Sequence, residues 1–171
     1  MRSVICDDEA FARLVGEGDL YDYELGDRYI VAPSAGGDHA VLQGKIIAAL
    51  AGVLTGCHVA GPTNLGVLGE PGRRWYVVPD VVVIPATSPR GQEAFLHAVL
   101  AMEIRSPRED VSAKLGDYRA VAARTGLVVD EVWYVDHTDV AVHPAGGPAG
   151  ETAFSDALEV VRATIVSWHR G

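Results

Sequence analysis

Val78-Pro79-Asp80-Val81-Val82-Val83-Ile84 sets a carboxylate directly before an unbroken run of β-branched residues. A strand with one wet face alternates apolar and polar side chains, so a run without alternation reads as a central strand covered on both faces. Ala98-Val99-Leu100-Ala101-Met102-Glu103-Ile104 is a second such run, with its carboxylate near the far end. Strands of this kind need a layer on each side, which points to a sheet flanked by helices.

The flanking segments supply those layers. After Asp38, the residues Leu42, Ile46, Ala49, Leu50 and Val53 recur at steps of three and four, which predicts a helix closed by Gly56. His39 lies in its first turn, on the same face. After Ser106-Pro107, Val111, Leu115, Tyr118, Val121 and Ala122 predict a second helix that fades at Thr125-Gly126. Cys57–Ala60, Thr63–Leu68 and Trp75–Val78 read as short strands; Val132–Val135 reads as a buried strand with Val140–His143 as its hairpin partner. Pro144 to Gly150 is loop-like. Upstream, Asp7-Asp8-Glu9 opens a short helix through Phe11 and Leu14, and Tyr21–Leu25 and Arg28–Ala32 form a hairpin around Gly26-Asp27. Ala157–Val166, rich in Val and Ile, reads as a strand. The class is α/β, or α+β with a mixed sheet: a central sheet flanked by helices, extended at the N-terminal side by a helix and a β-hairpin.

The chain has 171 residues, which fits one domain over 1–171 able to bury roughly two-thirds of its extended surface. Fourteen basic against 23 acidic side chains give a charge of −9, which repels phosphate backbones at long range and argues against a non-specific DNA coat protein. It leaves room for a nuclease, whose metal site needs clustered carboxylates of its own. Cys6 and Cys57 are too few and too far apart for a disulfide framework. The N-terminal stretch turns acidic at once, unlike a signal peptide, and no apolar run approaches a membrane span, so the cytoplasm is the expected compartment. Phosphate-loop, zinc-protease and serine-elbow motifs are absent, and no two of the six His stand at a ligand spacing on one helix.

What remains is the pair Asp80 and Glu103. If their strands are neighbours, the carboxylates face one another, and at about 4 Å with an effective dielectric near 20 they repel by about 4 kcal/mol. A divalent cation turns that repulsion into attraction, and Mg²⁺ suits one or two carboxylates with water and phosphate oxygens completing its shell. The same residues have plainer readings: an Asp after Pro caps turns, and a Glu at a strand end pairs with a surface cation. Asp110, Lys114 and Tyr118 fall on one helix face, where Lys114 is either an ordinary i, i+4 partner or a cation aimed at the strand ends. Arg105, two residues after Glu103, shares its strand face and is either a solvated strand end or a phosphate clamp. His39 is either a packed histidine or a further metal ligand.

In order, Tyr23-Glu24-Leu25, His39, Val78-Pro79-Asp80, Glu103-Ile104-Arg105-Ser106-Pro107, Asp110 with Lys114 and Tyr118, and Val132-Trp133-Tyr134-Val135-Asp136 resemble the Uma-type family of restriction-endonuclease-like proteins, within the PD-(D/E)XK nuclease superfamily. The resemblance runs from about residue 21 to residue 143. It implies a restriction-endonuclease-like core of helix, three-stranded meander, helix and strand. It implies Asp80, Glu103 and the Ile104 carbonyl as ligands of Mg²⁺ or Mn²⁺, with His39 beside them, and Lys114 as the catalytic cation. The fold's usual lysine position, two after the Glu, is Arg105 here, so the role falls to Lys114, to Arg105 or to both. The expected activity is metal-dependent hydrolysis of DNA phosphodiester bonds, with a homodimer to cut both strands. The alternatives are a non-catalytic binding or regulatory protein that keeps the nuclease fold, and an enzyme of other chemistry acting on a small metabolite.

Overall fold

The computed structural model describes residues 4–6, 20–26, 28–33, 37–67, 74–89, 94–105, 111–136, 138–145 and 150–169. The expected helix after Asp7, the turn residue Asp27, Ser106-Pro107 and Asp110 lie outside the described residues. In chain order the elements are β1 (Val4–Cys6), β2 (Leu20–Gly26), β3 (Arg28–Pro33), α1 (Gly37–Val53), β4 (Cys57–Ala60), β5 (Asn64–Val67), β6 (Arg74–Val77) and β7 (Val81–Pro85). There follow β8 (Ala94–Phe95), β9 (His97–Ile104), α2 (Val111–Thr125), β10 (Val128–Val135), β11 (Val140–Pro144) and α3 (Ser155–Trp168).

The two apolar runs are neighbours at the centre of a five-stranded sheet ordered β11-β10-β9-β7-β4. Strands β4, β7 and β9 pair antiparallel, β9 and β10 pair parallel across the α2 crossover, and β10 and β11 form an antiparallel hairpin. The central sheet is therefore mixed and flanked by helices, as the sequence indicates. Alternate residues of β7 enter two different cores, which is why the run shows no polar face. Val81 and Val83 pack with Leu42, Ile46 and Leu50 of α1 and with Val161 and Ile165 of α3. Val82 and Ile84 pack with Tyr118 and Val121 of α2 and with Leu65 and Val77. Each such apolar side chain, fully buried, stabilises the fold by about 1.5–3 kcal/mol.

Three features differ from the sequence reading. First, β5 and β6, which the sequence assigns to no particular sheet, lie outside the central one and join β1, β2, β3 and β8 in a second, six-stranded sheet ordered β1-β3-β2-β6-β5-β8. Gly66 permits that pairing: its φ is +134°, and a Cβ there would lie 2.1 Å from the Trp75 carbonyl oxygen. Second, residues 155–168 form a helix, not the expected strand. Buried Ala157, Leu158, Val161 and Ile165 recur at helical spacing, while Val166 is exposed. That stripe packs onto α1 and overrides the β preference of Val and Ile. Third, β10 starts at Val128, four residues before the expected Val132, and its exposed or half-buried first residues give no apolar run before burial begins at Glu131.

A buried carboxylate ties α3 to the sheet. Glu131 accepts from Trp133 Nε1 at 2.6 Å and from Thr152 Oγ1 at 2.7 Å on one oxygen, and from the Ala153 N–H at 2.8 Å on the other. The chain entering α3 is thereby pinned to β10.

Candidate active site at the sheet end

Register brings the two sequence-nominated carboxylates together. Val81 pairs with Met102 in the antiparallel ladder, so one step further on Asp80 stands opposite Glu103. Asp80 reaches across this end of the sheet: its Oδ2 accepts the Ile104 N–H at 2.6 Å. The Ile104 atom engaged with Asp80 is thus its N–H. The other oxygen, Oδ1, lies 3.0 Å from His39 Nε2. Gln43 Nε2 donates to the Asp80 backbone carbonyl at 2.5 Å. His39 and Gln43 are one turn apart on α1, so a single helix face grips Asp80 by carboxylate and carbonyl together.

Glu103 is gripped from the opposite side. It is only 2% exposed. Its Oε1 accepts from the Tyr118 hydroxyl at 2.8 Å, and its Oε2 lies 3.2 Å from Lys114 Nζ. Lys114 and Tyr118 are one turn apart on α2. A carboxylate this deep needs charge compensation, and Lys114 supplies it. Asp117, on the next turn of α2, has its carboxyl pushed up by burial, while Lys114 pulls it down. Arg105 continues β9: its N–H donates to the Val135 carbonyl at 2.7 Å. Asp136 beside it is held below the ordinary carboxylate range, chiefly by the Thr138 N–H, with a smaller pull from the Arg105 guanidinium. Arg105 therefore lies on the Asp136 side of the sheet end, and Lys114 on the Glu103 side.

The residue types are those that a hard divalent ion takes. Asp80 and Glu103 offer carboxylate oxygens at adjoining strand ends, and His39 adds an imidazole. Mg²⁺ needs only one or two protein carboxylates, with water and phosphate filling the remaining positions. As they stand, no three His, Cys, Asp or Glu side chains converge as a ready-made ligand cluster among the described residues. Glu103 is turned toward Lys114 and Tyr118 of α2, while Asp80 is turned toward His39 of α1.

Sequence reasoning singled out Asp80, Glu103, Lys114, Arg105, Ile104 and His39. Of these, Asp80 contacts Ile104 and His39, and Glu103 contacts Lys114. It missed Gln43, whose only signal is its i, i+4 spacing from His39. It placed Tyr118 on the Lys114 face without seeing that the hydroxyl serves Glu103. Glu24 falls on β2, in the second sheet.

Comparison with known proteins agrees with this architecture. The crystal structure of a "putative nuclease belonging to DUF820" from Anabaena variabilis ATCC 29413 superposes with a TM-score of 0.60 at 14% identity, covering 84% of this chain and 90% of that one. At that identity the likeness speaks for the fold. No curated protein sequence matches. A family model described as "Putative restriction endonuclease" matches residues 8–163, nearly the whole chain. The chain belongs to the Uma2 family.

Proposed function

We propose that the protein is a Mg²⁺- or Mn²⁺-dependent nuclease that hydrolyses DNA phosphodiester bonds at the Asp80–Glu103 pair. The observation that carries this reading is the pairing of β7 with β9, which sets two carboxylates side by side with Lys114 on one of them. Asp80, Glu103 and the Ile104 carbonyl would hold the ion, with His39 beside Asp80. A bound divalent ion polarises the phosphoryl group and lowers the pKa of a coordinated water. Lys114 would orient the attacking water and offset the charge that builds up on the phosphoryl oxygens. Arg105 offers a planar fork of N–H donors, and its part would be to bind phosphate. The charge of −9 repels DNA, so binding depends on these local cations and on the metal. A homodimer would place two such sites on opposite strands of a duplex.

The test is cleavage of supercoiled plasmid with Mg²⁺ or Mn²⁺ by the wild type, Asp80→Asn, Glu103→Gln and Lys114→Met. Loss of an anchoring carboxylate is expected to cost about 10³-fold or more in rate while the protein still folds. A fully active Asp80→Asn protein contradicts the assignment.

One observation favours a second reading, a non-catalytic binding protein on the same fold. Both Glu103 oxygens already have proton donors, Tyr118 and Lys114, so the carboxylate is satisfied without a metal. That reading requires that the protein bind neither Mg²⁺ nor Mn²⁺, with or without DNA.

A further inference from the structure

Two groups of different kinds fix Glu103. Lys114 Nζ, 3.2 Å from Oε2, is a cation that offsets the carboxylate charge. The Tyr118 hydroxyl, which donates to Oε1 at 2.8 Å, is neutral. It holds the carboxylate without cancelling its charge. Tyr118 is itself held in place. It is only 5% exposed and packs in the core between α2 and the central sheet, with Val82, Ala101 and Val121. Its hydroxyl is therefore a fixed donor, unlike one at the tip of a solvated side chain.

A carboxylate ligates best when a hydrogen-bonded partner has already removed its rotational freedom. An ionised carboxylate carries about four lone-pair sites, so one hydroxyl bond to Oε1 does not use it up. We propose that Tyr118 is a positioning residue of the metal site: its hydroxyl sets the orientation in which Glu103 meets the divalent ion. The proposal rests on the reading of Asp80 and Glu103 as the ion's ligands. Tyr118 acts through Glu103 and not on the reacting atoms. Lys114, one turn earlier on the same helix, bears on the ion in the opposite sense, because its positive charge repels the ion and competes with it for Glu103. A shift of α2 would therefore move metal affinity the same way for both residues, whereas their chemistry moves it in opposite directions.

The experiment is calorimetric titration of Mn²⁺ into the wild type, Tyr118→Phe and Lys114→Gln, each with and without a DNA duplex. Tyr118→Phe keeps the ring in the core, and Lys114→Gln removes the charge but keeps a donor; urea unfolding shows each variant folded at the titration temperature. Tyr118→Phe is expected to bind Mn²⁺ about 10–100-fold more weakly than the wild type. Lys114→Gln is expected to bind it at least as tightly as the wild type. The affinity is that of the folded protein, so a loss of stability alone does not produce this pattern. Tyr118→Phe that binds as tightly as the wild type, or more tightly, overturns the proposal and leaves the metal reading standing. Weakening by a similar factor in both variants also overturns it, because the loss then belongs to the packing of α2. A wild type that binds no Mn²⁺ in either condition overturns the metal reading, and this proposal with it.

Discussion

The Asp80 carboxylate, at the head of β7, accepts the backbone N–H of Ile104, at the tail of β9, at 2.6 Å. Asp80 thereby closes the antiparallel pair at the end where Glu103 stands. The two carboxylates share one end of the sheet yet answer to different helices: His39 and Gln43 of α1 hold Asp80, and Lys114 and Tyr118 of α2 hold Glu103.

The Glu103 side of this arrangement gives an ordered series of stabilities. Tyr118→Phe removes one hydrogen bond to a buried charge and is expected to cost about 1.5–3 kcal/mol. Lys114→Met leaves that charge uncompensated and is expected to cost more, about 3–5 kcal/mol. Adding Glu103→Gln to Lys114→Met removes the stranded charge and should recover part of the loss. Urea unfolding of the three variants checks the order; a Lys114→Met protein as stable as wild type contradicts the buried pair.

Glu131 should behave as a structural carboxylate. Glu131→Ala takes the acceptor from Trp133 Nε1, Thr152 Oγ1 and the Ala153 N–H together. Unsatisfied buried donors cost about 1–3 kcal/mol each, so a loss of at least about 2–3 kcal/mol is expected. Hydrogen exchange should show the chain entering α3 opening first. A loss of cleavage with unchanged stability would instead move Glu131 into the chemistry.

Acid sensitivity should concentrate in the turn after β10. Asp136 and Asp139 are both held below the ordinary carboxylate range: Asp136 first by the Thr138 N–H, Asp139 first by the Val140 N–H and then by Arg162. A depressed carboxylate contributes stability that is present above its unfolded pKa, about 3.9. That contribution is lost as pH falls through the lower folded value. Asn at position 136 can still accept from the Thr138 and Asp139 N–H groups but does not titrate. Asp136→Asn should therefore be less stable than wild type near neutrality, and the gap should close between about pH 5 and about pH 2. Denaturant midpoints across that range check it; a gap independent of pH contradicts the turn's role.

Much of this architecture is written in the residues. The β7 and β9 runs are legible because both faces of each strand are buried, and α1 and α2 because their apolar residues repeat at helical spacing. Membership of the second sheet is not: β5 and β6 are short, and nothing local says which sheet they join until the Gly66 backbone meets Trp75. The helix α3 is masked by its own Val and Ile content, although buried Ala157, Val161 and Ile165 carry the helical period. Asp80 and Glu103 could be nominated as a pair from their strand positions alone. Their partners could not, because i, i+4 spacing places Gln43 beside His39 and Tyr118 beside Lys114 without saying which carboxylate each pair meets.

Calorimetric titration of Mn²⁺ into the wild type and Asp80→Ala, each with and without a DNA duplex, tests the central claim most directly. The account predicts binding in the wild type that is lost in Asp80→Ala. Absence of Mn²⁺ binding to the wild type even with duplex present, or equal binding to the two proteins, contradicts a metal site at Asp80 and Glu103.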